Sequence, residues 1–229
     1  IPLFSRRGRG YVYSSSFLSS EKAETELRAK LGLLEKDVSV RHLKMRVGRV
    51  ENHWYKNCLA VGLSQGFIEP LEATALHLVQ ETVQLFANLF EAGGWGYRHQ
   101  DLFNKQINHR FEGVRDYIVC HYLMNTRRDT DYWQQNALNK NISDALAATL
   151  NNWFSGKGLG GILKEYGVGE YYQEASWQCL LAGYGRFPEV KKFDVNPIVL
   201  QNQEIVRKNF EQISEMFELN MSVLNAIHG

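Results

Sequence analysis

The sequence has no charge excess, little cysteine and no long apolar run. Lys and Arg total 26 against 25 for Asp and Glu in 229 residues. That balance lacks the basic surplus that general nucleic-acid or anionic-membrane binding draws on, so no nucleic acid and no membrane are expected as partners. The three cysteines, Cys58, Cys120 and Cys179, lie far apart and match no metal-ligand spacing. The histidines show no paired ligand spacing either, so no metal site is expected. Reduced, buried thiols in a cytoplasmic protein are the simpler reading. No apolar stretch approaches the ~20 residues of a membrane helix, no signal peptide opens the chain, and no internal repeat or low-complexity tract interrupts it. The chain starts Ile1-Pro2 without methionine, which raises the expectation of an incomplete gene product. What is present in quantity is hydrophobic material, 44% of residues, enough to bury a real core.

Residues 9–18, rich in aromatic, β-branched and hydroxyl side chains, read as a strand. Ser20 is a plausible N-cap for a helix to about Leu31, with Gly32 just past its end. Leu43, Met45 and Val47 alternate with polar residues as in a half-buried strand, and 57–62 reads as a short buried strand. Beyond that the pattern becomes helical. Leu76, Val79, Val83, Phe86 and Phe90 step by three and four, and Gly93-Gly94 stops that helix. Asp101 can cap a second long helix with Phe103, Ile107, Phe111, Val114, Ile118 and Tyr122 on its apolar face. A shorter helix follows Ser143, residues 156–161 form a glycine-rich loop, a helical piece spans about 175–181, 187–197 is a loop, and a terminal helix runs from about 199 to 227. The fold class expected is α+β, mostly α-helical, with residues 1–75 as a strand-containing part and 76–229 as a mostly helical region. Three strands with one helix cannot cover both faces of a sheet, so the sheet is expected to be completed by sequence outside this chain.

The richest stretch is Gly66-Phe67-Ile68-Glu69-Pro70-Leu71-Glu72-Ala73-Thr74-Ala75. It follows the apolar run 58–62 and opens a long amphipathic helix. A helix N-terminus presents unpaired N–H groups and a partial positive charge, and so seats an anion. A carboxylate one turn away can serve acid–base chemistry. The bland alternative is that Glu72 merely caps the helix. Glu69, held extended by the following proline, reads as an organiser of the turn. His121 reads as a satisfied core histidine, and Arg115-Asp116 as a structural ion pair or loop anchor. Gly156, Gly158, Gly160 and Gly161 do not make a dinucleotide fingerprint, because no strand precedes them and no acidic partner follows at the right distance.

The Gly66–Ala75 segment resembles the second signature region of flavin-dependent tryptophan halogenases, Gly-Phe-x-Glu-Pro-Leu-Glu. Three other segments resemble the same family in order. Ile1-Pro2 followed by 10–15 is similar to the end of its Trp-x-Trp-x-Ile-Pro stretch. Arg115-Asp116-Tyr117-Ile118, His121-Tyr122, Thr126-Arg127, Asp129-Thr130 and Trp133 are similar to one internal block. Ser176-Trp177 with 181–185 is similar to a late Trp…Ala-Gly-x-Gly segment. The resemblance implies the C-terminal part of an aromatic-hydroxylase-like FAD flavoprotein fold with a helical substrate domain. It implies Glu72 as the catalytic carboxylate and Thr74 and Ala75 as the halide-binding pair. Val61 and Leu76 would contact FAD, although ordinary strand and helix core is a compatible reading. Tyr171 and Tyr172 would hold an aromatic substrate. Where the family usually has Ser then Thr-Gly, this chain has Ala73 and then Thr74-Ala75; the amides survive, but a Cβ at 75 bears on halide preference. The family's dinucleotide fingerprint and catalytic lysine are not in this sequence. The implied activity is oxidation of chloride or bromide to hypohalous acid with reduced FAD, supplied by a separate flavin reductase, and oxygen. The oxidant then halogenates a small electron-rich aromatic such as indole or tryptophan. A homodimer is compatible with the family. Two rivals stay open: an FAD-dependent aromatic hydroxylase, and a non-catalytic helical binding module.

Overall fold

A computed structural model describes residues 8–69, 71, 74–188, 197–215, 222 and 226. It divides into two compact units, Ile1–His42 with Val190–Gly229, and Leu43–Glu189. In the first unit, α1 (Ser20–Leu31) is capped by Ser19, whose hydroxyl accepts from the amide of Lys22 at 3.3 Å, and it ends at Gly32 with φ 66°. The cap is thus one residue earlier than expected. Residues 9–18 form no strand. The serine run turns the chain, Phe17 N donating to Ser14 O at 3.0 Å. Tyr11 and Tyr13 spend their hydroxyls on Glu26 and on Ser20 Oγ, both at 2.7 Å. The other described helix of this unit spans Pro197–Glu215; the remainder of the expected 199–227 helix, apart from single residues, lies outside the described residues, as do 189–196.

The second unit holds the core. The strand expected at Leu43–Val47 is absent. No neighbouring strand is there among the described residues to take its backbone hydrogen bonds, and Val47 is 78% exposed. Pairing begins only at β1 (Gly48–Arg49), antiparallel to β4 (Gly66–Phe67). The expected buried strand at 57–62 is instead half of a hairpin, β2 (Trp54–Tyr55) with β3 (Cys58–Leu59). Its two-residue turn places Lys56 at φ 50°, and Cys58 is exposed. A short 3₁₀ turn, Gly62–Ser64, leads into β4.

Then come α2 (Thr74–Ala92), α3 (Gln100–Met124), α4 (Asp131–Ala137), α5 (Asp144–Phe154), α6 (Gly160–Glu165) and α7 (Glu174–Gly183). Helix α3 is the central post, packed by α2, α4, α5, α7 and the hairpin. Phe103, Ile107, Phe111, Val114 and Ile118 are buried along it, which is the apolar face its spacing predicts. Trp54 from the hairpin meets Phe86, Phe90 and Phe103 edge-on, with ring centroids 5.0, 5.8 and 5.8 Å away, the geometry aromatic quadrupoles favour. Helix α2 is rotated from its expected face: Leu78 and Thr82 are buried, while Leu76 and Val83 are exposed. The helix is apolar on more than one side, so its spacing could not choose which side meets α3. No described helix is long and apolar enough to cross a membrane.

Candidate active site

The chain's functional candidates gather where β4 runs through residues 68–71 into the N-terminus of α2. Gly66 opens this segment under tight constraint. A Cβ there would lie 2.6 Å from Gly48 O and 2.8 Å from Arg49 Cα, so only glycine fits beneath the paired β1 backbone. Glu72, the catalytic candidate, lies outside the described residues, as do Pro70 and Ala73.

Thr74 is the first residue of α2 and is 1% exposed. Its hydroxyl donates to Leu71 O, and its amide also donates to Leu71 O at 3.2 Å. With the threonine proton committed there, the hydroxyl of Tyr172 donates to Thr74 Oγ1, 2.9 Å away. The hydroxyl of Tyr171 donates to Thr74 O at 3.1 Å. The two tyrosines expected at a substrate site therefore meet the halide candidate directly. Tyr172 is buried and stacks on Tyr117 of α3, with ring centroids 3.6 Å apart. Tyr171 sits edge-on to His77 at 4.4 Å.

On the other side of the segment, Tyr122 of α3 donates its hydroxyl to Glu69 Oε1. Burial, and then this bond to a carboxylate, push the Tyr122 phenol well above its ordinary range, so it remains a donor. Behind Tyr122, Trp133 of α4 stacks at 5.6 Å. The Arg127 guanidinium lies 4.5 Å over Trp133 and forms a paired bond with Asp129, at 3.0 and 2.6 Å. The internal block read from sequence is thus a buttress for Glu69. Asp116 anchors the next helix: Ser143 Oγ donates to Asp116 Oδ2 at 2.5 Å and caps Leu146 N at 3.0 Å, while Arg115 donates to Asp116 Oδ1 at 3.2 Å. His121 Nδ1 lies 3.4 Å from the hydroxyl of Tyr184.

Ala75 and Leu76 border a cavity of about 220 Å³ whose other walls include Gly62, Leu63, Gly66 and Val79. Leu76 is 72% exposed toward this side of α2. Val61 adjoins Gly62 and is tied to Ser64, whose hydroxyl accepts from Val61 N and donates to Val61 O; it is not among the cavity walls. Apolar side chains and glycine backbone make a wall that fits one face of a flat flavin ring. A pyrophosphate cradle is a different matter. The glycine-rich loop is filled by the chain itself: Glu174 Oε1 accepts from Leu159 N at 2.9 Å, and a Cβ on Gly160 would meet Glu174 Oε2 at 2.7 Å. The cavity beside α2 is thus compatible with a flat ring, and the glycine-rich loop, occupied by Glu174, offers no cradle for a pyrophosphate.

Sequence reasoning missed three partners here: Tyr117 beneath Tyr172, Tyr122 on Glu69, and Glu174 in the glycine loop. The signals available were the family-like block that holds Tyr117 and Tyr122 and the ring of Tyr122 on the apolar face of α3. Nothing local announces where its hydroxyl goes.

Comparison with known proteins matches residues 1–196 to the family described as tryptophan halogenase. The 7-chloro-L-tryptophan 6-halogenase KtzR of Kutzneria sp. (strain 744) is 38% identical over 153 residues, 67% of this chain and 30% of its own length. The tryptophan 6-halogenase SttH of Streptomyces toxytricini is 39% identical over 153 residues, 67% of this chain and 29% of its own length. Among solved structures, Tar14, a tryptophan C-6 flavin-dependent halogenase from taromycin biosynthesis, superposes with a TM-score of 0.81 at 31% identity, covering 100% of this chain and 46% of that one. A thermophilic tryptophan halogenase from Streptomycin violaceusniger gives 0.77 at 33% identity, covering 91% and 41%. The chain spans about a third of the length of these curated relatives and under half of these structures.

Proposed function

The chain belongs to the tryptophan halogenase family, and on that premise we propose that it forms the halide- and aromatic-binding part of a flavin-dependent halogenase. The observation that carries this reading is the convergence of the family-like segments on residues 69–75. Glu69 and Thr74 are both held there by tyrosines from elsewhere in the chain.

Reduced FAD, delivered by a separate flavin reductase, supplies with oxygen the oxidation of chloride or bromide to hypohalous acid. The chain's own residues do the rest. The amides at the start of α2, at Thr74 and Ala75, hold the halide, because the helix dipole favours an anion there; Thr74 N, which donates to Leu71 O at 3.2 Å, shares its proton with the ion. Leu76 walls the flavin ring, and Val61 backs that wall through its neighbour Gly62. Tyr171 and Tyr172 confine a flat, electron-rich substrate such as indole or tryptophan. Glu72 orients the electrophilic halogen. As the ring carbon gains halogen, the hydroxyl of the hypohalous acid leaves with the bonding pair; the Glu72 carboxylate takes the ring proton and passes it to that hydroxide, so water is released and the carboxylate is restored. A base so placed contributes about 10²–10⁴ in rate. The thiols Cys58, Cys120 and Cys179, free in the structure, suit a cytoplasmic enzyme.

The test is Glu72→Gln in enzyme assayed with reduced FAD, oxygen, bromide and indole or tryptophan. Turnover should fall by at least ~10² while FAD binding is retained. Near-normal turnover removes Glu72 from the chemistry, and a hydroxylated product formed without halide replaces halogenation by hydroxylation.

A further inference from the structure

The proposed chemistry asks the start of α2 to hold a halide to within a fraction of an ångström. Among the described residues between β4 and α2, Leu71 N donates to Glu69 O at 2.8 Å and Thr74 N to Leu71 O at 3.2 Å. Three phenols add to these bonds. Tyr122 fixes the Glu69 side chain at one end. Tyr172 and Tyr171 fix the side chain and the carbonyl of Thr74 at the other, at 2.9 and 3.1 Å.

We propose that Tyr122, Tyr171 and Tyr172 are positioning residues that clamp Glu69 and Thr74 and so set the place of the amides at the start of α2. The inference rests on the reading of this segment as the halide and proton-transfer site.

Each jaw of the clamp is rooted in a packed element. Tyr122 projects from α3, is stacked by Trp133, and belongs to the helix with the most buried residues among the described helices. Tyr172 lies flat on Tyr117 of the same helix. The two jaws therefore share one rigid post. The acceptors differ in kind. Glu69 offers a carboxylate, which makes the stronger bond, whereas Thr74 offers a hydroxyl and a carbonyl. The Thr74 hydroxyl is the hinge of the second jaw. It donates back to Leu71 while accepting from Tyr172, so a substituent at Tyr172 is felt at Leu71. Because Tyr171 and Tyr172 are also the proposed walls for the aromatic substrate, any shift of their rings on binding is passed to the first turn of α2 through the same two bonds.

The test uses hydrogen–deuterium exchange at the amides of Leu71 and Thr74 in the 229-residue chain. Tyr122→Phe and Tyr172→Phe keep the ring stacks and lose only the hydroxyls. Exchange at these two amides should quicken about five- to tenfold for Tyr172→Phe and on the order of tenfold or more for Tyr122→Phe, with the amides of α5 and α7 unchanged. Thr74→Val should reproduce the Tyr172→Phe effect, and Thr74→Ser, which restores the hydroxyl, should reverse it. Unchanged exchange at Leu71 and Thr74 in both phenylalanine variants overturns the clamp, as does equal quickening throughout the chain. Bromide is then added as the probe of the underlying reading. It should slow exchange at the amides of Ala75 and Leu76 in the unmodified chain, with half-protection needing more bromide in Tyr172→Phe. Local loosening without any bromide effect supports the clamp and counts against the halide site.

Discussion

Asn104 of α3 and Trp54 of the β2–β3 hairpin, 50 positions apart, exchange two hydrogen bonds of 2.8 Å: Trp54 N donates to Asn104 Oδ1, and Asn104 Nδ2 donates to Trp54 O. The side-chain amide imitates a neighbouring strand, with both its donor and its acceptor used. A two-stranded hairpin is marginal by itself, and this exchange, with the aromatic packing of Trp54, fastens it to the core. Asn104→Ala leaves a buried donor and acceptor on Trp54, at a cost of about 2–4 kcal/mol. Urea unfolding at neutral pH measures it. A loss below ~1 kcal/mol would show that water replaces the amide at no penalty.

Gly66→Ala places a methyl against fixed backbone at Gly48 and Arg49. No flexible side chain can yield there, so β1 and β4 must part. The expected loss is about 1–3 kcal/mol after the usual gain from a stiffer unfolded chain. Thermal unfolding reports the stability, and amide exchange at Gly48–Arg49 reports whether the pairing is what gave way. Unchanged exchange there would refute the steric account.

His53 is buried against Phe111, stacked at 5.4 Å. Its Nε2 lies 2.9 Å from Asn108 Oδ1, and its Nδ1 has no partner. Asn108 uses its own N–H on Glu51 O, so Nε2 is the protonated nitrogen and the ring is neutral. Burial lowers its pKa from 6.5, ahead of the opposing bond to Asn108. The folded state then binds a proton less readily than the unfolded one. Stability is fully present above pH ~6.5 and declines as the pH falls through and below that value toward the folded pKa. A series of unfolding midpoints from pH 7.5 to 5 should fall for the native chain and run flatter for His53→Gln. Parallel slopes would locate the acid sensitivity elsewhere.

The three cysteines should separate by reactivity. Cys58 and Cys179 are exposed, whereas Cys120 is buried. Burial, aided by nearby Asp116, pushes the Cys120 thiol up to about 12, so it carries almost no thiolate near neutrality. Iodoacetamide at pH 8 should label Cys58 and Cys179 within minutes and Cys120 only after denaturation. Mass spectrometry of tryptic peptides reads each site, and early labelling of Cys120 would mean that α3 opens to solvent.

The helical half of the second unit was largely legible in the sequence. The stripe from Phe103 to Ile118, the cap at Ser143 and the stop at Gly183 follow from spacing and termini. The strands were not. Alternation at Leu43–Val47 and the hydroxyl-rich run at 9–18 describe what a strand would look like, but a strand exists only where another backbone lies alongside. The site divides in the same way. The Gly66–Ala75 segment stood out through its glycine, its acids and the helix that follows. Its supports did not, because a bond such as Tyr172 to Thr74 joins positions 98 apart and leaves no periodic trace in the chain.

The carboxylate of Glu174 lodged in the glycine loop has a consequence for ligands. A resident joined to the site by its own polypeptide competes at an effective concentration that a free anion must match, on the order of millimolar. Nucleotide phosphates at lower concentration gain no foothold there, and the Leu159 amide, bonded to Glu174, ties the loop before α6 to the first turn of α7.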